Sequence, residues 1–410
     1  MTLSHKFLTM VAGMAVLVAA CGGPPPGSSP TAGGTDVPPA GTDVPPAGTD
    51  APPAGTDAPT DAATDTATES AGAGELDEVS LQLQWAPQAQ FAGYFAAREE
   101  GFYEAEGLDV EILDGGPEVI PQVVGSDPAG PEFTISWVPK VLEVRGNAGS
   151  DLVNIAQVFQ RSGTLSVSFT DAGITSPADF ADKRVGVWDF GNEYEVTAAA
   201  RAEGLEEGED YQKVIQPFDM TFLLTDQIDV AEAMIYNEYA QVLEAENPDT
   251  GQLYQPEDLN VIDYNEVGTA MLQDAIFARA AWLAEEGNED IAERFLRASF
   301  RGWIFCRENP EQCIEHTVAA GSTLGEGHQA WMMNEINPLI WPSPGGIGQL
   351  DEDLYQQTVD IALEAGILEE PPSEDAVRTD LAEAALDGIE EDTTGEGFEK
   401  GTVDVTPGGE

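Results

Sequence analysis

Basic residues are scarce in this chain: 16 Lys and Arg stand against 75 Asp and Glu in 410 residues, a formal net charge of −59. A phosphate backbone demands a basic surface, so this deficit excludes nucleic acid as a partner and disfavours docking by charge to anionic lipid. Histidine is rarer still; beyond position 20 only His316 and His328 remain, and no metal is expected. There is no phosphate-binding glycine loop, no paired-histidine zinc helix and no nucleophile elbow. Carboxylate pairs such as Glu193 and Glu195 arise by chance at this density of acids and read as a solvated face. No enzyme activity and no cofactor are therefore expected. Nor is there a membrane-spanning run, since the apolar stretch at 7–20 falls short of the ~20 residues required. At 1 M salt the Debye length is about 3 Å and repulsion among so many carboxylates becomes local, so the composition predicts a salt-loving, extracellular setting. An ordinary acidic exported protein would explain the acidity but less easily the scarcity of lysine.

What is present begins with an export signal: His5 and Lys6 precede the apolar run, which closes on Val18-Ala19-Ala20-Cys21. That ending resembles a bacterial lipobox, which implies removal of 1–20 and a lipid on Cys21 that holds the protein to the membrane. A single acyl chain binds only marginally, so the two or three chains of a bacterial lipoprotein are implied. Residues 21–77 carry GTDVPPA at Gly34 and Gly41, GTDAPPA at Gly48 and a truncated copy at Gly55. Proline and glycine without apolar residues build no core, and a disordered tether is expected. The tail, 387–410, is acidic and poor in apolar residues and is expected to be disordered as well. Cys306 and Cys313 flank an Asn309-Pro310 break. In an oxidising compartment a disulfide is the expected reading; a metal site with His316 is the rival, and lacks a fourth ligand nearby.

About three hundred residues remain for folding, more than one usual core holds, and strands alternate with helices. The expected class is α/β with two lobes: 78–170 in the first, 171–265 in the second, and 266–386 returning to the first and adding C-terminal helices. Those helices are expected at 291–307, 311–319, 327–336 and 351–365. Two crossings between lobes make a hinge.

The densest pattern lies at 81–112, where an alternating strand leads into Trp85-Ala86-Pro87-Gln88-Ala89-Gln90, an amphipathic helix bearing Phe91, Tyr94 and Phe95, a stop at Gly101 and a second strand. In open α/β sheets ligands sit beyond the carboxyl ends of the strands, so that turn faces a crevice. The same grammar recurs: strand 133–136 ends in Trp137, 153–158 in Phe159-Gln160, 184–187 in Trp188 before Asn192, and 233–235 in Tyr236-Asn237. One strand-end aromatic reads first as core packing. Five together point to a flat, aromatic, mostly uncharged ligand. Trp85, Trp137, Trp188 and Tyr236 would supply ring faces, with Tyr94 beside them. Gln88, Gln90, Gln160, Asn192 and Asn237 would read polar edges, and Glu238 and Asp274 would accept hydrogens. Asn192 serves equally as a helix N-cap and Glu238 as a first-turn carboxylate.

The stretches QWAPQAQFAGYFAAREEGFYEAEGLDV, NIAQVFQRSG, RVGVWDFGNEYE, AMIYNEYAQVLE and FLRASFRGWIFC together resemble solute-binding lipoproteins of ABC importers. They belong with the alkanesulfonate-binding and thiamine-pyrimidine-synthase-like family, and the wording is most similar to its riboflavin-binding branch. The resemblance spans roughly 79–365. It implies a two-lobed type II periplasmic-binding-protein fold that closes on riboflavin or a related flat heteroaromatic nutrient and hands it to ABC permease subunits. A thiamine pyrimidine precursor or an alkanesulfonate are the alternatives; an anion would want Arg161 or Lys140 at the mouth. The enzymes of this fold would need a Schiff-base lysine and a cysteine-rich motif. Beyond the signal only Lys140, Lys183, Lys213 and Lys400 remain, and that motif is absent. The sequence departs from the family at GSDPAGPEF, just before and into the strand at Phe133.

Overall fold

The structure is a computed structural model that describes residues 76–410; the export signal, Cys21 and the repeats lie outside the described residues. Its strands, in chain order, are β1 Asp77–Gln82, β2 Leu108–Leu113, β3 Phe133–Ser136, β4 Leu152–Gln157, β5 Thr164–Phe169, β6 Arg184–Val187, β7 Gln212–Ile215, β8 Val230–Met234, β9 Glu246–Asn247, β10 Gln252–Leu253, β11 Leu259–Asp263 and β12 Ala275–Arg279. Two five-stranded mixed sheets result, ordered β2-β1-β3-β12-β4 and β11-β5-β8-β6-β7. In the first, β1 runs parallel to β2 and β3, whereas β12 is antiparallel to both β3 and β4. In the second, β6 is parallel to β7 and β8, and β5 is antiparallel to β8 and β11.

Period-two alternation gives each sheet two buried faces. On β12, Ile276 and Ala278 join the large core with Phe133, Phe295 and Trp303, while Ala275 and Phe277 pack on Val138, Val141 and Val359. On β8, Val230 packs with Val185 and Val187, whereas Ala231 and Ala233 pack with Leu165 and Val167. The C-terminal helices Asn288–Glu308, Pro310–Ala319 and Glu326–Ile340 close the first sheet. Cys306 and Cys313 join the first two of these in a disulfide, with Cα atoms 5.4 Å apart. The helix Ala92–Glu99 lies hard against Asn288–Glu308: a Cβ on Gly302 would come within 2.0 Å of the Gly93 carbonyl oxygen, and one on Gly93 within 2.2 Å of the Trp303 ring. That close approach fixes where the preceding turn, 83–91, can sit.

The chain crosses between sheets after β4 and again before β12, and the two connections are pinned to each other. Asn265 Nδ2 donates to the Ser162 carbonyl at 2.9 Å, and the Gly163 amide donates to Gln273 Oε1 at 2.8 Å. Glu195, buried at the N-terminal end of helix Tyr194–Ala202, accepts from Ser162 Oγ and from the Met271 amide, both at 2.7 Å, so one carboxyl ties both crossings to the second lobe. The departure before β3 is also accounted for: buried Arg279 donates to the carbonyls of Gly125, Gly130 and Pro131 and clamps that approach.

The expected disorder of 387–410 is corrected by the structure. The tail runs from Ser343 and Ile347, which donate to the Thr394 and Thr393 carbonyls, past Lys400 paired with Glu335, to the Glu244 carbonyl, which accepts from Gly408. Phe398 packs on the first core and Val405 on the second. An acidic average hid a few well-spaced anchors, and the tail therefore adds a non-covalent link between the lobes to those made by His328 and Trp331 of helix Glu326–Ile340 with Asn237 and Ile235.

Candidate functional site

Between the two sheets lies a narrow cleft with about 90 Å³ of solvent-accessible space, lined by residues of both lobes. Four of the strand-end aromatics meet on its walls, Trp85 and Trp137 from the first lobe and Trp188 and Tyr236 from the second. They arrive there because β1, β3, β6 and β8 all end toward the gap. Gln88, Gln90, Asn192, Asn237 and Glu238 line it as well.

The polar groups are locked in a directed chain. Asp274, immediately before β12, is buried; it accepts from Trp137 Nε1 at 2.8 Å and from Gln90 Nε2 at 2.7 Å. Gln90 Oε1 in turn accepts from Gln88 Nε2 at 2.7 Å. Burial pushes the Asp274 carboxyl up to about 6, opposed by those two hydrogen bonds and by the charge of Lys140. Lys140, one turn beyond Trp137, sits over the Trp137 ring at 4.1 Å and donates across the gap to Asn192 Oδ1 at 2.6 Å. Its ammonium is lowered to about 8 by desolvation, against the raising influence of Asp274, Glu232 and Glu193. On the opposite wall Asn237 Oδ1 accepts from His328 Nε2 and Gln241 Nε2, while its Nδ2 donates to Glu238 Oε1. Glu238 also accepts from the Met234 amide, and burial raises it to about 7.

Three of the expected residues are placed elsewhere. Tyr94 is a core residue, its ring meeting Trp303 edge-on at 5.6 Å, because its helical face packs on Asn288–Glu308. Gln160 stands on the first crossing, donating to the carbonyls of Gln157 and Gln349, since the strand after which it was counted ends earlier and the chain is already leaving the lobe. Asp274 lies behind the wall and orients Gln90 and Trp137.

The cleft also takes residues that no pattern singled out. Phe218 closes its rim, 4.5 Å from Trp85 and stacked at 6.1 Å on Trp188. Phe190, 64 % exposed, holds a left-handed φ of 66° beside it, a conformation that is costly for a bulky side chain. Gln84, Gln122 and the segment between Gly116 and Pro121 complete the first-lobe wall. The triple amide Gln-x-x-x-Gln-x-Gln at 84–90 is a readable signal for Gln84; the others come from irregular turns and, for Gln122, the short helix Pro121–Gly125.

The family described as NMT1/THI5 like matches residues 88–313. The riboflavin-binding protein RibY of Chloroflexus aurantiacus is 25% identical over 324 residues, covering 76% of this chain and 88% of that protein. A formylaminopyrimidine-binding protein of Halalkalibacterium halodurans is 25% identical over 257 residues, 61% of this chain and 72% of its own. Among solved structures, the periplasmic aliphatic sulphonate binding protein SsuA of Escherichia coli superposes with a TM-score of 0.53 at 14% identity, over 73% of this chain and 90% of that one. The likeness to the solved structure shows the fold, that of periplasmic binding proteins.

Proposed function

This chain belongs to the NMT1/THI5-like family, and from that premise we propose that it is the extracytoplasmic solute-binding protein of an ABC importer, taking riboflavin or a related flat heteroaromatic nutrient and delivering it to a membrane permease. The observation that carries the ligand reading is the meeting of Trp85, Trp137, Trp188 and Tyr236 on one cleft, interleaved with amides. Indole faces stack on planar rings and amides select their edges. The group that would suit an anion, Lys140, already spends its charge on the Trp137 face and Asn192, which ranks a sulfonate below a neutral ring. A pyrimidine precursor is the second reading, favoured by the formylaminopyrimidine-binding relative. No bond is made or broken in this role. Titrating riboflavin, an aminopyrimidine and an alkanesulfonate against tryptophan fluorescence decides among them: riboflavin should quench and itself lose emission. Tight sulfonate binding with indifference to riboflavin would overturn the reading.

Anchoring follows from the lipobox-like ending at Cys21. The expected result is that the wild type fractionates with membranes and incorporates labelled lipid, whereas Cys21→Ser does neither. Lipid retained on that variant removes the assignment.

The net charge of −59 fits a saline surrounding. The melting midpoint should rise from dilute buffer to molar salt as screening suppresses self-repulsion. A flat or falling midpoint would contradict the halophilic reading.

A further inference from the structure

Two glutamines of the first-lobe wall have no assigned role. Gln84 and Gln122 are 8% and 4% exposed, and both line the cleft. Their Oε1 atoms are buried with no hydrogen-bond partner among the described residues. A buried acceptor left unpaired costs roughly 1–3 kcal/mol, so two on one wall call for an explanation outside the protein. Their placement is built in. Gly115 donates to the Trp85 carbonyl, and a Cβ on Gly115 would meet Leu83 O and Trp85 N at 2.6 Å, so the turn after β2 is pressed onto the backbone at Gln84. The chain then passes through Gly116, Pro117, Val119 and Ile120 into the helix Pro121–Gly125, which carries Gln122. That part of the wall is uncharged: Glu118 is exposed and off the wall, and the charged residues on the cleft, Lys140 and Glu238, come from other elements.

The geometry points to a second subsite for a neutral, hydroxyl-bearing arm of the ligand, read by Gln84 and Gln122 beside the ring subsite. This rests on the ring-binding reading above. Hydroxyls suit it because each donates to an amide oxygen and can accept from an amide nitrogen. A phosphate ester does not: its ionised oxygens offer no donor to the two unpaired Oε1 atoms, and its charge is unfavourable in a strongly acidic protein. The subsite therefore selects a ring with a polyol chain over the bare ring, and over the same chain carrying a phosphate.

The test is a fluorescence titration of the wild type, Gln84→Met and Gln122→Met with riboflavin, lumiflavin (the same ring system with a methyl group for the chain) and the phosphate ester of riboflavin. Methionine keeps length and volume while removing the amide. The wild type should bind riboflavin more tightly than either other compound. Each variant should lose about ten-fold in riboflavin affinity, the worth of a buried hydrogen bond of this kind, with lumiflavin affinity unchanged and a melting midpoint equal to or above wild type. If both compounds weaken equally in the variants, or if the phosphate ester binds the wild type as tightly as riboflavin, the arm subsite is overturned while the flavin reading stands. If the wild type binds none of the three, the flavin reading falls and the subsite with it.

Discussion

Trp188→Ala should weaken riboflavin binding at least ~ten-fold, whereas Trp331→Ala should leave affinity near wild type and act on stability. An aromatic stack is worth about 0.5–1.5 kcal/mol beyond the area it buries, and the burial adds more, so the sum exceeds the ~1.4 kcal/mol of a ten-fold change. Trp188 is on the cleft wall, donates Nε1 to the Pro217 carbonyl at 3.2 Å and stacks on Phe218. Trp331 is on the helix Glu326–Ile340, off the cleft, bonding the Ile235 carbonyl and packing on Tyr239. Both truncations hollow out packed surroundings, so titrations belong in high salt with the folded fraction checked. Equal losses of affinity from both tryptophans would mean that the ligand sits elsewhere.

Alkaline pH should loosen the fold, and Glu195 should carry much of that loss. Burial pushes its carboxyl up to about 8, against the lowering hydrogen bonds from Met271 and Ser162; the charge of Asp263 also raises it. Glu238 at about 7 and Asp274 at about 6 are shifted the same way, each chiefly by burial. A carboxyl raised in the folded state contributes stability that is fully present below its unfolded value, near 4.3, and is lost as pH climbs through the folded one. For Glu195 the span corresponds to roughly 3–5 kcal/mol between about pH 4 and pH 9. Thermal melts at fixed high salt should therefore show a falling midpoint from about pH 5 to pH 9. Glu195→Gln keeps an acceptor for the Met271 amide without a titrating proton and should flatten the alkaline limb. A slope unchanged in that variant would show that the hinge carboxyl does not govern it.

Much of the ligand wall is legible in the sequence because its residues are periodic. Trp85, Trp137, Trp188 and Tyr236 each follow an apolar strand, and strands that end toward one crevice deliver them together. The long amphipathic helix Asn288–Glu308 is equally readable, and Arg294 and Arg297 on it pair with Asp77 and Glu106, as an acidic chain demands. Periodicity fails where a residue's neighbours are distant in sequence. Tyr94 has the right composition and the wrong face, decided by Trp303 some two hundred positions on. The insertion of β12 between β3 and β4 depends on register with strands far upstream. Phe190 and Phe218 sit on turns, and Gln122 on the short helix Pro121–Gly125, whose courses follow from packing, and no short pattern announces them.

The tail that reaches Glu244 changes what opening the cleft involves. Two pinned crossings alone would form a simple hinge, with the lobes swinging apart for the energy of a few cleft contacts. With Phe398 seated on one lobe, Val405 on the other and Gly408 bonded to Glu244, the tail behaves as a guy-rope: together with the bonds of His328 and Trp331 to Asn237 and Ile235, its slack limits how far the lobes part unless its end peels from the second lobe. The rate of ligand exchange is then set partly at a place remote from the cleft, by residues that never touch the ligand.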